Sequence, residues 1–232
     1  MKVKICGVVT ARTRRELEGM VRKAELLGVD LAEIRMDYWK DKLNLRSVRK
    51  LTALPLIATN RPNWEGGIYS GEEEERRASL LSAANSGFEY VDIELKTEGR
   101  GEIVEGIRRE GSSPIVSFHN FSSTPRTREF YRIFLEERRV GAEVCKIVTM
   151  AESFKDNLTC LKALGRMARA GHALCFCMGR YGVPSRILAP LFGSAFTYAS
   201  LRRGAESAPG QLTVKELQEA YRIMGGEDGD RR

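Results

Sequence analysis

One lysine, Lys146, stands in the run Val144-Cys145-Lys146-Ile147-Val148-Thr149-Met150, which otherwise looks built for burial. A charged ammonium is rarely placed there without a reason. Other polar residues recur in similar apolar runs, spaced two apart. Glu33, Arg35 and Asp37 alternate with Ile34 and Met36, Thr59 with Arg61 flanks Asn60, Asp92 with Glu94 flanks Ile93, and Ser117 with His119 flanks Phe118. In a strand, alternate side chains share a face, so each set projects to one side.

Taken singly, each set has a plainer reading. Lys146 could snorkel its head to a rim. His119 could be a hydrogen-bonded structural histidine, and Glu33, Arg35 and Asp37 a buried ion network. Asp92 and Glu94 are read as neutralising neighbouring arginines. Together the sets define a chemistry. Apolar walls and nearby arginines disfavour an ammonium. A free lysine amine is neutral in only about one molecule in a few thousand at pH 7, so such surroundings make Lys146 usable as a nucleophile toward a ketone. The iminium that results is an electron sink and acidifies the adjacent carbon. An imidazole titrates near the working pH and can remove that proton. Arginines at the same mouth hold an anionic substrate, bidentately where a carboxylate meets the guanidinium fork. No clustered ligand spacing suggests a metal site.

The elements that must position these groups alternate along the whole chain. Strand candidates fall at 2–10, 31–37, 55–61, 90–95, 114–120, 143–150, 172–179 and 192–199. Helical candidates fall near 12–27, 44–53, 72–86, 100–110, 126–139, 153–169, 183–190 and 213–223. Gly28, Gly87, Gly111, Gly141 and Gly171 each follow a helical run and precede a strand, a helix-stop pattern. Eight βα units without a linker point to a single-domain α/β fold, a (β/α)8 TIM barrel over residues 1–224, with 225–232 a disordered tail. An open doubly wound sheet is the rival, but "TART" after the first strand is not a Gly-rich phosphate turn. The barrel predicts that catalytic groups collect at the C-terminal ends of strands. All the polar sets above fall there, whereas His172 opens its strand after Gly171 and reads as structural, at the opposite rim.

Composition narrows the partners. The 232 residues carry 38 Lys and Arg against 31 Asp and Glu, a net charge of +7. The basic residues are dispersed among acids, as in Arg14, Arg15, Glu16 and Glu18, so no nucleic-acid partner is expected. The five cysteines (Cys6, Cys145, Cys160, Cys175 and Cys177) form no CxxC pair. They read as reduced, buried thiols of a cytoplasmic protein. The apolar stretch Ile5 to Val9 is too short for a signal peptide, and no run approaches a membrane span of about 20 residues.

The chain resembles the type I 3-dehydroquinate dehydratases, the Schiff-base enzymes of the shikimate pathway. The resemblance runs in order through "ICGVVTA", "EIRMD", "ATNRPNWEGG", "VDIE", "SFHNF", "CKIVTMA" and "CMGRYGVPSRILAPLFGSAFTYAS" to "ESAPGQLTV". It implies a (β/α)8 barrel, a homodimer, and no metal or organic cofactor. It implies Lys146 as the Schiff-base lysine, His119 as general acid/base and Glu65 as the carboxylate that accompanies it. It assigns Glu33, Arg35 and Arg61 to the ring hydroxyls and the shape of the site, Arg186 to the substrate carboxylate, and Ser207 and Gln211 to a closing loop. "SAPGQ" suits a lid, since Pro-Gly turns sharply while Ser and Gln supply hydrogen bonds. Two departures stand out: Ile34 in the middle of Glu-x-Arg, which points away from the mouth, and the charged approach "LRRGAE" before the lid. Two other readings stay open: a class I aldolase acting on a sugar phosphate, and a non-catalytic barrel that binds an anion.

Overall fold

The structure, a computed structural model, describes residues 3–39 and 43–225. The tail expected at 225–232 lies, beyond Gly225, outside the described residues. Among the described residues eight strands alternate with eight α-helices. They are β1 (Ile5–Val9), α1 (Arg14–Leu26), β2 (Leu31–Arg35), α2 (Leu45–Arg49), β3 (Leu56–Thr59), α3 (Glu73–Asn85), β4 (Tyr90–Glu94) and α4 (Arg100–Arg109). They continue as β5 (Ser113–Asn120), α5 (Thr127–Val140), β6 (Val144–Met150), α6 (Lys155–Met167), β7 (His172–Met178), α7 (Val183–Leu188), β8 (Thr197–Ser200) and α8 (Val214–Ile223).

The strands are parallel and run in the order β7-β6-β5-β4-β3-β2-β1-β8. The seam is drawn together by a parallel bridge between Ala173 in β7 and Ser194, just before β8, so the sheet is a nearly closed (β/α)8 barrel. Strands covered on both faces read as continuous apolar runs rather than alternating ones, and β1 (ICGVV) is buried at every position. The helices bury one stripe each. In α5, Phe130, Ile133, Phe134 and Glu137 are buried at the i, i+3, i+4, i+7 spacing of a single face. Thr13 caps α1, and Thr213 with Glu216 forms a capping box on α8.

Two local expectations are corrected. The last strand begins at Thr197 rather than 192, because Ala189–Phe192 form a 3-10 turn that Gly193 closes in the left-handed conformation, φ 99°. Gly28, Gly87, Gly111 and Gly141 take positive φ as helix stops, but Gly171 does not. His172 is exposed at the start of β7, as expected of the far rim. Among the described residues no helix is long and apolar enough to cross a membrane.

Candidate active site

Register carries the polar sets round one mouth. Lys146 lies beside Ser117, Ser117 beside Glu94, Asp92 beside Thr59 and Thr59 beside Arg35. All nine residues expected at the site line one cavity of about 90 Å³: Lys146, His119, Glu65, Glu33, Arg35, Arg61, Arg186, Ser207 and Gln211. Val148, Phe176, Met178 and Tyr198 supply apolar wall.

Lys146 is 5% exposed. Its surroundings differ from the apolar walls and arginines expected. Nζ donates to Asp92 Oδ2 at 2.8 Å and lies 3.9 Å from Glu33 Oε1. It also sits 4.5 Å above the Tyr198 ring. Asp92 was read only as neutralising an arginine. It does so, 2.7 Å from Arg61, but it also pairs with the lysine. Ser117 joins the two by accepting from Arg61 and donating to Asp92, both at 2.7 Å. Glu94 does neutralise arginines, 2.6 Å from Arg61 and 2.7 Å from Arg76. Burial opposes charge on Asp92, yet Arg61 and Lys146 outweigh it and hold its carboxyl well below the usual range. For Glu94 burial wins over the arginines and pushes the carboxyl up. Arg35 is clamped through Nε and Nη2 by Asp37, at 2.8 and 2.7 Å. Thr59 donates to Glu33 at 2.8 Å.

Across the mouth, Glu65 closes the 3-10 turn Asn63–Glu65 and meets β5. Its Oε2 lies 2.8 Å from His119 Nδ1 and accepts the His119 backbone N–H at 3.1 Å. That carboxylate fixes the ring so that Nε2 is left for the substrate. Burial, then Arg61 and Lys146, lower the His119 pKa to about 4, against the upward pull of Glu65. The imidazole is therefore neutral at pH 7, the form a general base needs. Burial alone would raise Glu65, but its bond to His119, with Lys96 and Arg61, holds it below the usual range.

Arg186, from α7, is 2% exposed. Its guanidinium lies 4.7 Å over the Phe176 ring and donates to Pro209 O at 3.3 Å, while Nε finds no hydrogen-bond partner. Burial lowers its pKa to about 10, so it stays charged with no carboxylate against it among the described residues. A buried cation left this way is costly unless an anionic ligand completes it.

The segment 207–211 covers the cavity. Gln211 Oε1 accepts from Ser207 N at 2.8 Å and from Ser207 Oγ at 3.3 Å. Gly179 N donates to Pro209 O at 3.0 Å. At Gly210, φ is 75° and a Cβ would lie 2.4 Å from Gly179 O, so only glycine lets the loop seat on the end of β7. In the charged approach, Arg203 pairs with Glu216 on α8.

Sequence reasoning missed Asp92 as a partner of Lys146, Tyr198 beneath it, and Lys96, whose Nζ is 3.0 Å from Glu65 Oε1. Asp92 had a signal in its shared strand face with Glu94. Lys96, in the turn after β4, had none.

A family model described as type I 3-dehydroquinase matches residues 5–228. The 3-dehydroquinate dehydratase of Methanosarcina barkeri is 35% identical over 232 residues, covering 95% of this chain and 96% of that protein. The crystal structure of 3-dehydroquinate dehydratase from Geobacillus kaustophilus superposes with a TM-score of 0.90 at 26% identity, covering 98% of this chain and 93% of that one. The type I enzyme from Clostridium difficile, solved with covalently modified comenic acid, gives 0.84 at 26% identity, over 96% and 92% of the two chains.

Proposed function

The chain belongs to the type I 3-dehydroquinase family, and from that premise we propose how its own residues convert 3-dehydroquinate to 3-dehydroshikimate and water. It is a hydro-lyase of aromatic biosynthesis by the shikimate pathway. The observation that carries the mechanism is the placing of one buried lysine, one carboxylate-held histidine and one unpaired arginine around a single covered cavity.

Arg186 receives the substrate carboxylate, and Glu33, Arg35 and Arg61 meet the ring hydroxyls. Lys146 adds to the C3 ketone as two of its ammonium protons pass to the carbonyl oxygen, which leaves as water, so the iminium keeps the positive charge of the lysine. Asp92, 2.8 Å from that nitrogen, therefore faces a cation before and after the bond forms. His119, neutral and oriented by Glu65, removes a C2 proton, and the electron pair passes into the iminium to give an enamine. The enamine expels the C1 hydroxyl, which takes the proton from His119 and leaves as water. A water then hydrolyses the conjugated iminium, freeing product and amine. One water is released and one consumed around the lysine, so the net loss is the C1 hydroxyl with a C2 hydrogen. Ser207 and Gln211 keep the lid closed over the intermediates.

Of the two other readings, the sugar-phosphate aldolase would need a phosphate cradle after β7 and β8. That region instead supplies Arg186 and the 207–211 lid. The non-catalytic barrel leaves the His119–Glu65 pair without a task. We further propose a cytoplasmic homodimer. The buried thiols support a reducing compartment, and the exposed Phe154 and Leu158 at the start of α6 offer apolar surface for a second copy.

The test is direct. With 3-dehydroquinate, enone absorbance grows, and borohydride leaves the ligand's mass on a peptide containing Lys146. Absence of turnover, or full activity in Lys146→Ala, rejects the mechanism.

A further inference from the structure

The Glu65 carboxylate has two oxygens with different tasks. Oε2 is taken up by His119, through Nδ1 and the backbone N–H. Oε1 points the other way; it accepts no well-aligned hydrogen bond among the described residues, and the Lys96 ammonium meets it as an ion pair at 3.0 Å. Lys96 stands in the turn after β4 and lies 4.8 Å over the ring of Phe118, the neighbour of His119 on β5. Its side chain is about half exposed, 52%, while that of Glu65 is fully covered. It does not line the substrate cavity.

We propose that Lys96 is a positioning residue for the reaction: it anchors the far oxygen of Glu65 and offsets the carboxylate's charge, which keeps His119 in its neutral, proton-accepting form. The inference rests on the reading of His119 as the base. A carboxylate against an imidazole favours the imidazolium, and an imidazolium cannot remove the C2 proton. The site thus needs the hydrogen bond His119 donates to Glu65 for orientation but less than the full pull of the carboxylate's charge. A cation on the opposite oxygen meets both needs without entering the cavity. Among the described residues the other charged groups that act on His119 are Arg61, in the loop after β3, and Lys146 from β6, both of which also oppose the imidazolium. Arg61 acts on Glu65 too. Lys96 differs from them in having no contact with the substrate cavity, so its removal isolates the electrostatic effect from binding.

The chain contains two histidines, and the second, His172, is exposed at the far rim. Histidine resonances followed by NMR against pH therefore carry their own control. In Lys96→Met, which keeps the aliphatic stem on Phe118 but removes the charge, the His119 midpoint rises by about half a pH unit, as expected of one charge several ångströms away in a partly solvated site. His172 stays where it was, and Lys96→Arg restores the His119 midpoint. The acid limb of kcat/KM for 3-dehydroquinate moves up with His119, at unchanged KM. An unmoved His119 midpoint in Lys96→Met overturns the proposal, as does a His172 midpoint that moves with it or a failure of Lys96→Arg to restore. A His119 midpoint that rises while the rate profile stays still leaves the electrostatic link from Lys96 to His119 intact but overturns Lys96 as a positioning residue for the reaction, because it refutes His119 as the base.

Discussion

Lys146 Nζ and Asp92 Oδ2 lie 2.8 Å apart, both buried, on strands separated by β5. This pair decides what kind of lysine the site holds. The amine is not simply stranded in an apolar pocket. It faces a fixed anion, and in the proposed mechanism the iminium formed there is a cation facing the same carboxylate. On that mechanism Asp92 stabilises the covalent intermediate as well as the resting site.

Asp92→Asn is expected to act on both. The amide keeps shape and hydrogen bonding but removes the charge that faces Arg61 and Lys146. Breaking a buried ion pair by neutralising one partner costs about 3–5 kcal/mol of stability. The amount of borohydride-trapped adduct at fixed 3-dehydroquinate should fall along with kcat. Denaturant titration and adduct mass check the two effects, and a variant that retains normal adduct levels argues against this role for Asp92.

His119→Ala separates covalent capture from proton transfer. Removing a general base typically costs about 10²–10⁴-fold in rate, so turnover collapses, while Lys146 still forms a trappable adduct. The unsubstituted enzyme should hold kcat/KM level from pH 8 down to 6, because the His119 pKa of about 4 leaves the imidazole neutral there. Activity falls only as the pH nears that value and the base becomes protonated. An acid limb already developed at pH 6.5 would contradict the buried, neutral histidine.

Arg186→Met should trade binding for stability. A charge-assisted hydrogen bond is worth about 1.5–3 kcal/mol, so KM for 3-dehydroquinate should rise roughly 10–100-fold. The same change removes a buried cation whose Nε has no partner, so the free enzyme should melt no lower than before. Paired kinetics and calorimetry measure this. A lower melting point with unchanged KM would mean that Arg186 serves the fold rather than the substrate.

How much of this was legible in the sequence depends on how locally each feature is encoded. Strand and helix positions follow from short-range pattern, and the two-residue alternation placed Glu33, Arg35, Arg61, Ser117, His119 and Lys146 on one mouth. The start of β8 was misplaced because Phe192 looks like strand although Pro190 and Gly193 frame a turn. Pairings across the chain were harder. Asp92 and Lys146 are 54 positions apart, as are Glu65 and His119, and periodicity says nothing about distance between strands. Glu65 was reached only through family resemblance. Lys96 follows its strand as any surface lysine would, and only the fold turns its ammonium onto Glu65. The isolation of Arg186 was equally hidden, since no local pattern reports what a guanidinium lacks.

Glu137 supplies a last test, one of stability rather than catalysis. It takes the i+7 position of the buried α5 face, 0% exposed, and neither carboxyl oxygen has an N–H or O–H hydrogen-bond partner among the described residues, only the weak thiol of Cys145 beside it. Burial pushes its pKa well above 4.5, with Asp92 and Glu136 adding to the rise while Cys145 and Lys146 act against it. The folded chain therefore binds this proton more tightly than the unfolded chain. Below the unfolded value both states hold the proton and nothing is lost. As the pH rises above it the unfolded chain ionises first, so folding is progressively disfavoured until the folded carboxyl titrates in turn. Glu137→Met, apolar and of similar size, removes that penalty. Its melting-point gain should be small near pH 4.5 and grow toward pH 8. There, relief of about 1–3 kcal/mol corresponds to a gain of roughly 2–10 °C for a chain of this size. Calorimetry at the two pH values reads the difference directly. A gain that is equal at both, or larger at the acid end, would show that Glu137 is not held as a neutral acid in the core.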